Sequence, residues 1–548
     1  MGDFGHGFVG RRESAFTALL PLRAHSYGAE ALLELSILMK GAVDTVKDGP
    51  DPEENVLVPA GYTYFGQFID HDLTFDSTSA LDPSRPAAPT NLRTPKFDLD
   101  CVYGDGPDAQ PFLYDPAGEK LLFRDEPPTA GPTDLAARDL FRNPDGRAII
   151  GDKRNDENSI VSQIQLSFIK YHNAVVEKLR PQDPATWNVP GSLFVSARNE
   201  VRWTYQTLVV TDFLKRIVRA EVLEGLDGKN ATERSRNYAL YTEDKRSNLP
   251  REFVVAAYRF GHSGVRTGYR MNAGIDNRFS IFPASNDATP LAGALSLLGF
   301  DPVTNNQVID SWKRFFPLTL PNVETNEDRS KAADETKIGA VRLQFAYKLD
   351  PTLVDPLGVL PRAPVAGDGV TREAEKEIAP KPLPDAPRPS LALLNLLRGD
   401  AYRIQSGQAI AKALQQAGFD VPVLDDTAMV TRQPGSADGT FKFKAIPEKL
   451  RHDTPLWFYV LAEAQEPIVR HFGHAQFDEK KLLTGIGAKT QLGWVGGRIV
   501  SEVFYGLLDS DPDSFVNAAP AGWKPMLGAP AAPVVFLSLL KFADPSNS

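Results

Sequence analysis

Gln67, Asp70, His71 and Asp72 place one imidazole between two carboxylates, with an amide four residues before it. An imidazole can take up and return a proton near neutral pH, and a carboxylate can form a bond or ligate a cation. On a helix each step turns the side chain by roughly 100°, so residues 70, 71 and 72 point three ways. Gln67 and His71 share a face, because i and i+4 are neighbours on a helix surface. Phe65, Phe68 and Ile69 supply the apolar side that would seat such a helix. Three neighbours with three targets suit an active site better than a solvated surface.

Four further clusters have chemistry to offer. Thr94, Lys96, Asp98 and Asp100 alternate in a stretch that reads as extended, which puts oxygen donors on one side. A hard cation such as calcium takes six to eight oxygens, Lys96 contributing only its carbonyl. The plain alternative is a solvated turn. In Gly151 to Asn158, Arg154 and Glu157 lie three apart at the start of a long apolar-periodic helix, where Asn155 or Asp156 can cap. Taken alone that cluster reads as helix-start chemistry. Val254 to His262 is an apolar helix closing on Gly261 and His262, with Arg259 one turn earlier. Its histidine suits an axial ligand to iron or a hydrogen-bonded core residue. Asn395 is a lone amide in the apolar run Leu393 to Leu397, and a buried amide needs a partner. One such partner is the ring N–H of a metal-bound histidine.

The elements that must position these residues read as mostly helical. Ile160, Ile164, Phe168, Tyr171 and Val175 recur at steps of three and four and predict a helix over 157–180. Others are predicted over 28–41 (stopping at Gly41), 195–224, 250–260, 290–298, 306–315, 391–416, 455–471 and 493–508. Strand signals are short, at 147–150 and 440–444. Nine prolines punctuate 349–389, which reads as a surface excursion from the domain rather than a linker. The expected architecture is a single large, mainly α domain over 1–548, with long irregular loops, little β structure and an N-terminal extension, 1–58, packing on it.

Composition narrows the function. A net charge of -10 argues against nucleic acid as the main partner. Cys101 is the only cysteine, so no intrachain disulfide can form. Residues 1–12 lack a basic start followed by an apolar run, and no apolar stretch approaches the roughly 20 residues a membrane span needs. Cytoplasmic residence, or export without a cleaved signal, is the expectation, with no integral membrane segment.

Taken together, the five motifs resemble those of the animal-type heme peroxidases, the peroxidase–cyclooxygenase superfamily. Gly66 to Asp72, Thr94 to Gly104, Arg154 to Glu157, Tyr258 to His262 and Leu394 to Arg398 occur in that family's order across residues 60–400. Fainter echoes follow at Leu456 to Tyr459 and Gly496 to Glu502. Short intervals and the lack of disulfides look like the compact bacterial branch. The resemblance implies heme b and calcium as cofactors and hydrogen peroxide as substrate, and it suggests a part in the response to oxidative stress. It makes His71 the distal base, Arg154 the cation that stabilises developing charge, and Gln67 the group that positions water or a halide. His262 would ligate iron, with Asn395 at its second ring nitrogen. Asp70 and Glu157 match the carboxylates that form ester bonds to heme. Asp72, Thr94, Lys96, Asp98 and Asp100 match the calcium site, and Arg259 and Arg398 are candidates for the heme propionates.

Asn158 stands where some members carry a methionine linked to heme, so bromide, iodide, thiocyanate and aromatic donors are expected rather than chloride. Arg259 stands where the cyclooxygenase-like members carry a radical-forming tyrosine, and Tyr258 is one residue displaced. A fatty-acid dioxygenase is therefore the alternative enzyme, and a heme-binding structural or adhesive module the alternative without catalysis. His172 reads as a satisfied core histidine. His471 and His474 lack a third metal ligand, and the tripeptide Arg398-Gly399-Asp400 reads as pocket architecture.

Overall fold

The apolar period of residues 160–175 yields the longest helix, Ser159–Leu179. Its cap is Asn158, whose Oδ1 accepts the backbone N–H groups of Ile160 and Val161 at 3.1 and 2.9 Å. The expected caps, Asn155 and Asp156, belong instead to a separate 3-10 turn, Lys153–Asp156, which Asp152 caps. Arg154 and Glu157 thus precede the helix rather than open it. The structure, a computed structural model, describes residues 14–41, 51–75, 90–125, 138–181, 187, 189–246, 248–273, 278–281, 296–321, 342–358, 390–434, 439–528 and 533–545. It is mainly α, with small antiparallel sheets of two or three strands.

Two helical groups face one another. In the first, Ser159–Leu179 packs on Ser192–Leu208, Phe536–Ala543 and Gly61–Leu73. Phe68 stacks on Phe168 with centroids 4.7 Å apart, and Phe65 lies 4.3 Å from Phe536. Aromatic pairs contribute about 0.5–1.5 kcal/mol beyond the area they bury. These contacts fix the roll of Gly61–Leu73 and so the direction of His71. In the second group, Leu456–Phe472 packs on Trp494–Ser510, Leu391–Ala401, Gly407–Gln416 and the 3-10 helix Ala257–His262.

Several expected helices are interrupted. Residues 391–416 form two helices around a left-handed Arg403, and Ser406 caps the second. Residues 195–224 bend through a π-helical turn, Val209–Phe213, and break at Val218. Residues 250–260 form Arg251–Val255 and then the 3-10 helix, separated at Ala256. The first helix is Ala29–Leu38, ending at Met39 rather than at Gly41, whose N–H instead donates to Leu353 O at 2.7 Å.

Two predicted helices do not appear among the described residues. Of 290–298, only 296–298 lie among the described residues, and Ser296 and Leu298 form β-bridges. Of 306–315, only Trp312–Arg314 makes a 3-10 turn. There Asn272 donates to the carbonyls of Asn305, Asn306 and Val308, and Gln163 accepts the N–H of Ile309. Side chains satisfy the backbone groups that a helix would have paired. Residues 147–150 show one bridge, from Ala148 to Arg142, whereas Thr440–Ala445 is a strand paired with Val430–Pro434.

Of the proline-rich stretch, 359–389 lie outside the described residues. Residues 349–358 are no excursion, since Leu349 and Leu353 are buried and Asp355–Gly358 is helical. In the N-terminal stretch, Ser14–Ala15 pairs with Thr90–Asn91 and Glu54–Pro59 with Phe345–Tyr347. Asp400 is 5% exposed and accepts from Arg23, Ser26 and the Tyr27 N–H, so the tripeptide it ends is not displayed. No helix among the described residues is long and apolar enough to cross a membrane.

Candidate active site

A cavity of about 440 Å³ lies where the two helical groups meet. The helix Gly61–Leu73 gives it Gln67, Asp70 and His71. The segment before Ser159 gives Glu157 and Asn158, and the 3-10 helix opposite gives Tyr258, Arg259 and His262. Phe213, Ile217, Phe260, Leu298, Leu349 and Leu391 supply apolar wall.

His71 is 5% exposed, with Nδ1 2.8 Å from Asn155 Oδ1 and Nε2 3.8 Å from Glu157 Oε1. Burial, and then the Arg154 charge, lower its pKa to about 4, so the ring is neutral at neutral pH. The Glu157 side chain is 36% exposed, and since it lines the cavity that exposure is to the cavity. Burial raises its carboxyl to about 7, against the Arg154 charge and the Gln67 amide, which lower it. Gln67 donates to Glu157 Oε1 and accepts from Asn158 Nδ2 at 3.1 Å, so one amide ties both residues to the helix of His71. Asp70 also lines the cavity, and Thr74 Oγ1 donates to its carboxylate at 3.2 Å.

Arg154 does not line the cavity. Its Nη2 donates to the carbonyls of His71 and Thr74, at 3.0 and 2.5 Å, and to Asp152 at 2.8 Å. A helix end leaves its last carbonyls without partners, and Arg154 fills that vacancy beside His71. Asp152 is held well below the usual carboxylate range: burial raises it, but Arg154 and Arg93 outweigh burial. Gly299 backs this corner. A Cβ there would meet Asp156 O at 1.9 Å, so only glycine lets the 298–300 segment close on the turn.

Across the cavity, His262 Nδ1 lies 2.8 Å from Asn395 Nδ2, and Asn395 Oδ1 accepts from Arg259 Nη1 at 3.5 Å. Burial, then Arg259 and Arg398, lower the His262 pKa to about 3, so this ring is neutral too. Arg398 does not line the cavity, but its charge reaches His262. Trp457 Nε1 donates to Arg259 O at 3.1 Å and fixes the 3-10 helix from behind. Tyr258 reaches across, its hydroxyl donating to Gly66 O at 3.1 Å.

Below the helix of His71, carboxylate oxygens of Asp72, Asp98 and Asp100 lie within 4.8 Å of one another. Asp72 Oδ2 is buried and has no hydrogen-bond partner. Burial, then Asp98 and Asp100, push the Asp72 carboxyl well up. Thr94 Oγ1 donates to Asp98 at 2.7 Å, and the Lys96 side chain turns away to Asp511 at 2.6 Å. The donors do not converge by extended alternation. The segment bends, Leu99 takes a left-handed φ of 58°, and Asp100–Tyr103 is helical. Cys101 is a small buried side chain beside Asp72. His474 bonds Thr427 O, and His172 sits between Tyr103 and the Glu119 carbonyl as a satisfied core residue.

Asn155, Asp152 and Gln165 are parts of this site that the sequence did not single out. The first two lie in a run that reads as helix-start chemistry. Gln165 carried a usable signal, an amide between Ile164 and Leu166 that is fully buried.

Comparison with known proteins gives concordant findings. Residues 77–292 match the family model described as Animal haem peroxidase, a span that holds Asp98, Asp100, Arg154, Glu157 and His262. Dual oxidase 1 of Canis lupus familiaris is 26% identical over 208 residues, 36% of this chain and 12% of that one. The chain thus spans about an eighth of that relative's length. Peroxidase A from Dictyostelium discoideum superposes with a TM-score of 0.56 at 13% identity, covering 98% of this chain and 93% of that one. A fatty acid alpha-dioxygenase from Oryza sativa, solved with palmitic acid, superposes with a TM-score of 0.50 at 14% identity, covering 98% and 80%. At such identities the two structures speak to the fold alone.

Proposed function

We propose that this chain, which carries an animal haem peroxidase domain on the fold of the peroxidase–cyclooxygenase superfamily, is a heme peroxidase that reduces hydrogen peroxide and oxidises bromide, iodide, thiocyanate or aromatic donors. The observation that carries this reading is one cavity with neutral imidazoles contributed by opposite walls, each met at Nδ1 by an asparagine. A heme would need a neutral imidazole to hold its iron and a second group able to exchange a proton with peroxide, and the residues present, His262 and His71, fit that need. When bound, heme would supply the redox chemistry by which peroxide is reduced and a donor oxidised.

His262 would hold the iron through Nε2. That requires the proton on Nδ1, hence the Asn395 amide turned so that its oxygen faces the ring and its link to Arg259 is given up. Asp70 and Glu157, both on the cavity wall, are the carboxylates available for ester bonds. Arg259 and Arg398 would serve the propionates. His71 takes a proton from the near oxygen of peroxide and returns it to the far one, which leaves as water. Gln67, Glu157 and Asn158 form one bonded set beside it that orients water or a halide. Arg154 supports this chemistry from behind the helix end rather than from within the cavity, where its fixed charge keeps His71 neutral.

Purified protein is expected to show a heme Soret band and to turn over peroxide with bromide and with a phenol. Mass spectrometry of acid-denatured protein is expected to find heme on the polypeptide when Asp70 or Glu157 has closed its ester. A chain that binds no heme would overturn the reading.

The unpartnered Asp72 oxygen among three carboxylates supports a calcium site of Asp72, Asp98, Asp100, the Thr94 hydroxyl and the Lys96 carbonyl. A cation bound only by the folded state at a hundred times its Kd stabilises by about 2.7 kcal/mol. A calcium chelator should therefore lower the melting temperature of the native chain and leave Asp72→Asn unmoved. An unchanged wild-type melting temperature would remove the site.

One observation favours a fatty-acid dioxygenase: Tyr258 lines the cavity. Its hydroxyl, however, is given to Gly66 O. Oxygen uptake with linoleate separates the two activities.

A further inference from the structure

We infer that Asn155 and Gln165 are positioning residues that hold His71 in the tautomer with its proton on Nδ1, so that the Nε2 lone pair faces the cavity. This rests on the reading of His71 as the group that takes the peroxide proton. A histidine with its proton on Nε2 would present a donor to the incoming molecule and could accept nothing there.

The tautomer is decided several bonds away from the ring. His71 Nδ1 lies 2.8 Å from Asn155 Oδ1, and a carbonyl oxygen can only accept, so Nδ1 must donate. Which end of the Asn155 amide faces the ring is settled by its other end. Asn155 Nδ2 donates to Gln165 Oε1 at 2.9 Å. Gln165 is oriented in turn, because its Nε2 donates to the backbone carbonyl of Cys101 at 3.4 Å. That carbonyl cannot change role. Read outward from it, every donor and acceptor is fixed in sequence: Cys101 O takes the Gln165 nitrogen, the Gln165 oxygen takes the Asn155 nitrogen, and the Asn155 oxygen takes the His71 proton.

Burial makes the order binding. Asn155 and Gln165 are 0% exposed and His71 is 5% exposed, so bulk water offers no substitute partners. Turning Gln165 end for end would set donor against donor at Asn155 and acceptor against acceptor at Cys101 O, turning Asn155 would set its oxygen against that of Gln165, and unmatched buried polar groups are costly. On the opposite wall the amide faces the other way: Asn395 turns its nitrogen to His262 Nδ1, and its oxygen accepts from Arg259 Nη1 at 3.5 Å. The relay also starts next to Asp100, so the loop that gathers the three carboxylates orients the histidine above it.

The test reads the tautomer directly. Full chain labelled with 15N-histidine and loaded with heme is held in the diamagnetic ferrous carbonyl state, and long-range 1H–15N spectra report which ring nitrogen of His71 is protonated. The His71 signal is the one lost in His71→Gln. Wild type is expected to carry its proton on Nδ1. Asn155→Leu and Gln165→Leu should move His71 toward the other tautomer or a mixture and slow the reaction with peroxide roughly 10- to 100-fold. Asn155→Asp, whose carboxylate still accepts from Nδ1, should keep the wild-type tautomer. A wild-type His71 protonated on Nε2, or leucine variants with an unchanged tautomer, would overturn the relay. If Asn155→Leu fails to bind heme, the wild-type spectrum and Gln165→Leu decide. If the tautomer moves and the peroxide rate does not, the relay stands and the role of His71 as proton acceptor falls.

Discussion

Replacement of His71 by alanine should slow the reaction with hydrogen peroxide by about 10²- to 10⁴-fold, the usual contribution of a positioned acid–base group, while heme stays bound. Among the described residues that line that side of the cavity, His71 is the only imidazole. Asp70 has its carboxylate beside Thr74, and Gln67 and Asn158 are amides with no useful basicity. Glu157, whose carboxyl burial raises to about 7, is a neighbour that could exchange a proton near neutral pH, and an ester bond would remove it. The wild-type pH dependence has a definite sign. Burial first, and Arg154 second, lower the His71 pKa to about 4, so the neutral acceptor is present above that pH and is lost as pH falls through it. A second inflection near 7 would mark Glu157 with a free carboxyl, and closure of its ester would abolish that inflection. Stopped-flow absorbance at the Soret band measures both. A His71→Ala chain reacting at the wild-type rate would dismiss the assignment.

Replacement of His262 by alanine should cost more than about 100-fold in heme affinity, since losing only an outer partner of a metal ligand already costs about 10- to 100-fold. Among the residues that line the cavity, His262 is the only imidazole on its wall. The prediction separates two ways of holding the cofactor. If Asp70 and Glu157 have closed esters, the variant keeps heme on the polypeptide but shifts its spectrum. If they have not, gel filtration should strip it. Combining His262→Ala with Asp70→Ala and Glu157→Ala should abolish retention altogether. A single variant with an unaltered spectrum would show that the iron is held elsewhere.

Much of this arrangement is legible in the sequence because it rests on local periodicity. The three directions of Asp70, His71 and Asp72 follow from helix geometry, and the structure sends them to the cavity wall, the cavity and the acidic cluster. The long helix was visible in its isoleucines and aromatics. What could not be read is whatever depends on distant partners. Residues 306–315 look helical until Gln163 and Asn272 claim their backbone groups. Arg154 looks like a cavity residue until the carbonyls at the end of the His71 helix claim its guanidinium. Asn155 reads as a cap, and its bond to His71, 84 positions away, has no local signature.

The hold on Asp400 has a consequence for the order in which the site can be built. The groups that neutralise and bond that carboxylate come from residues 23, 26 and 27, which are made some 370 positions earlier. Asp400 stands five residues from Asn395, on the helix that carries it. During synthesis the first segment must therefore wait, unpaired, until some 370 further residues have been made, and contacts of such long range close slowly. The helix that sets Asn395 against His262 is therefore seated by a contact that closes late.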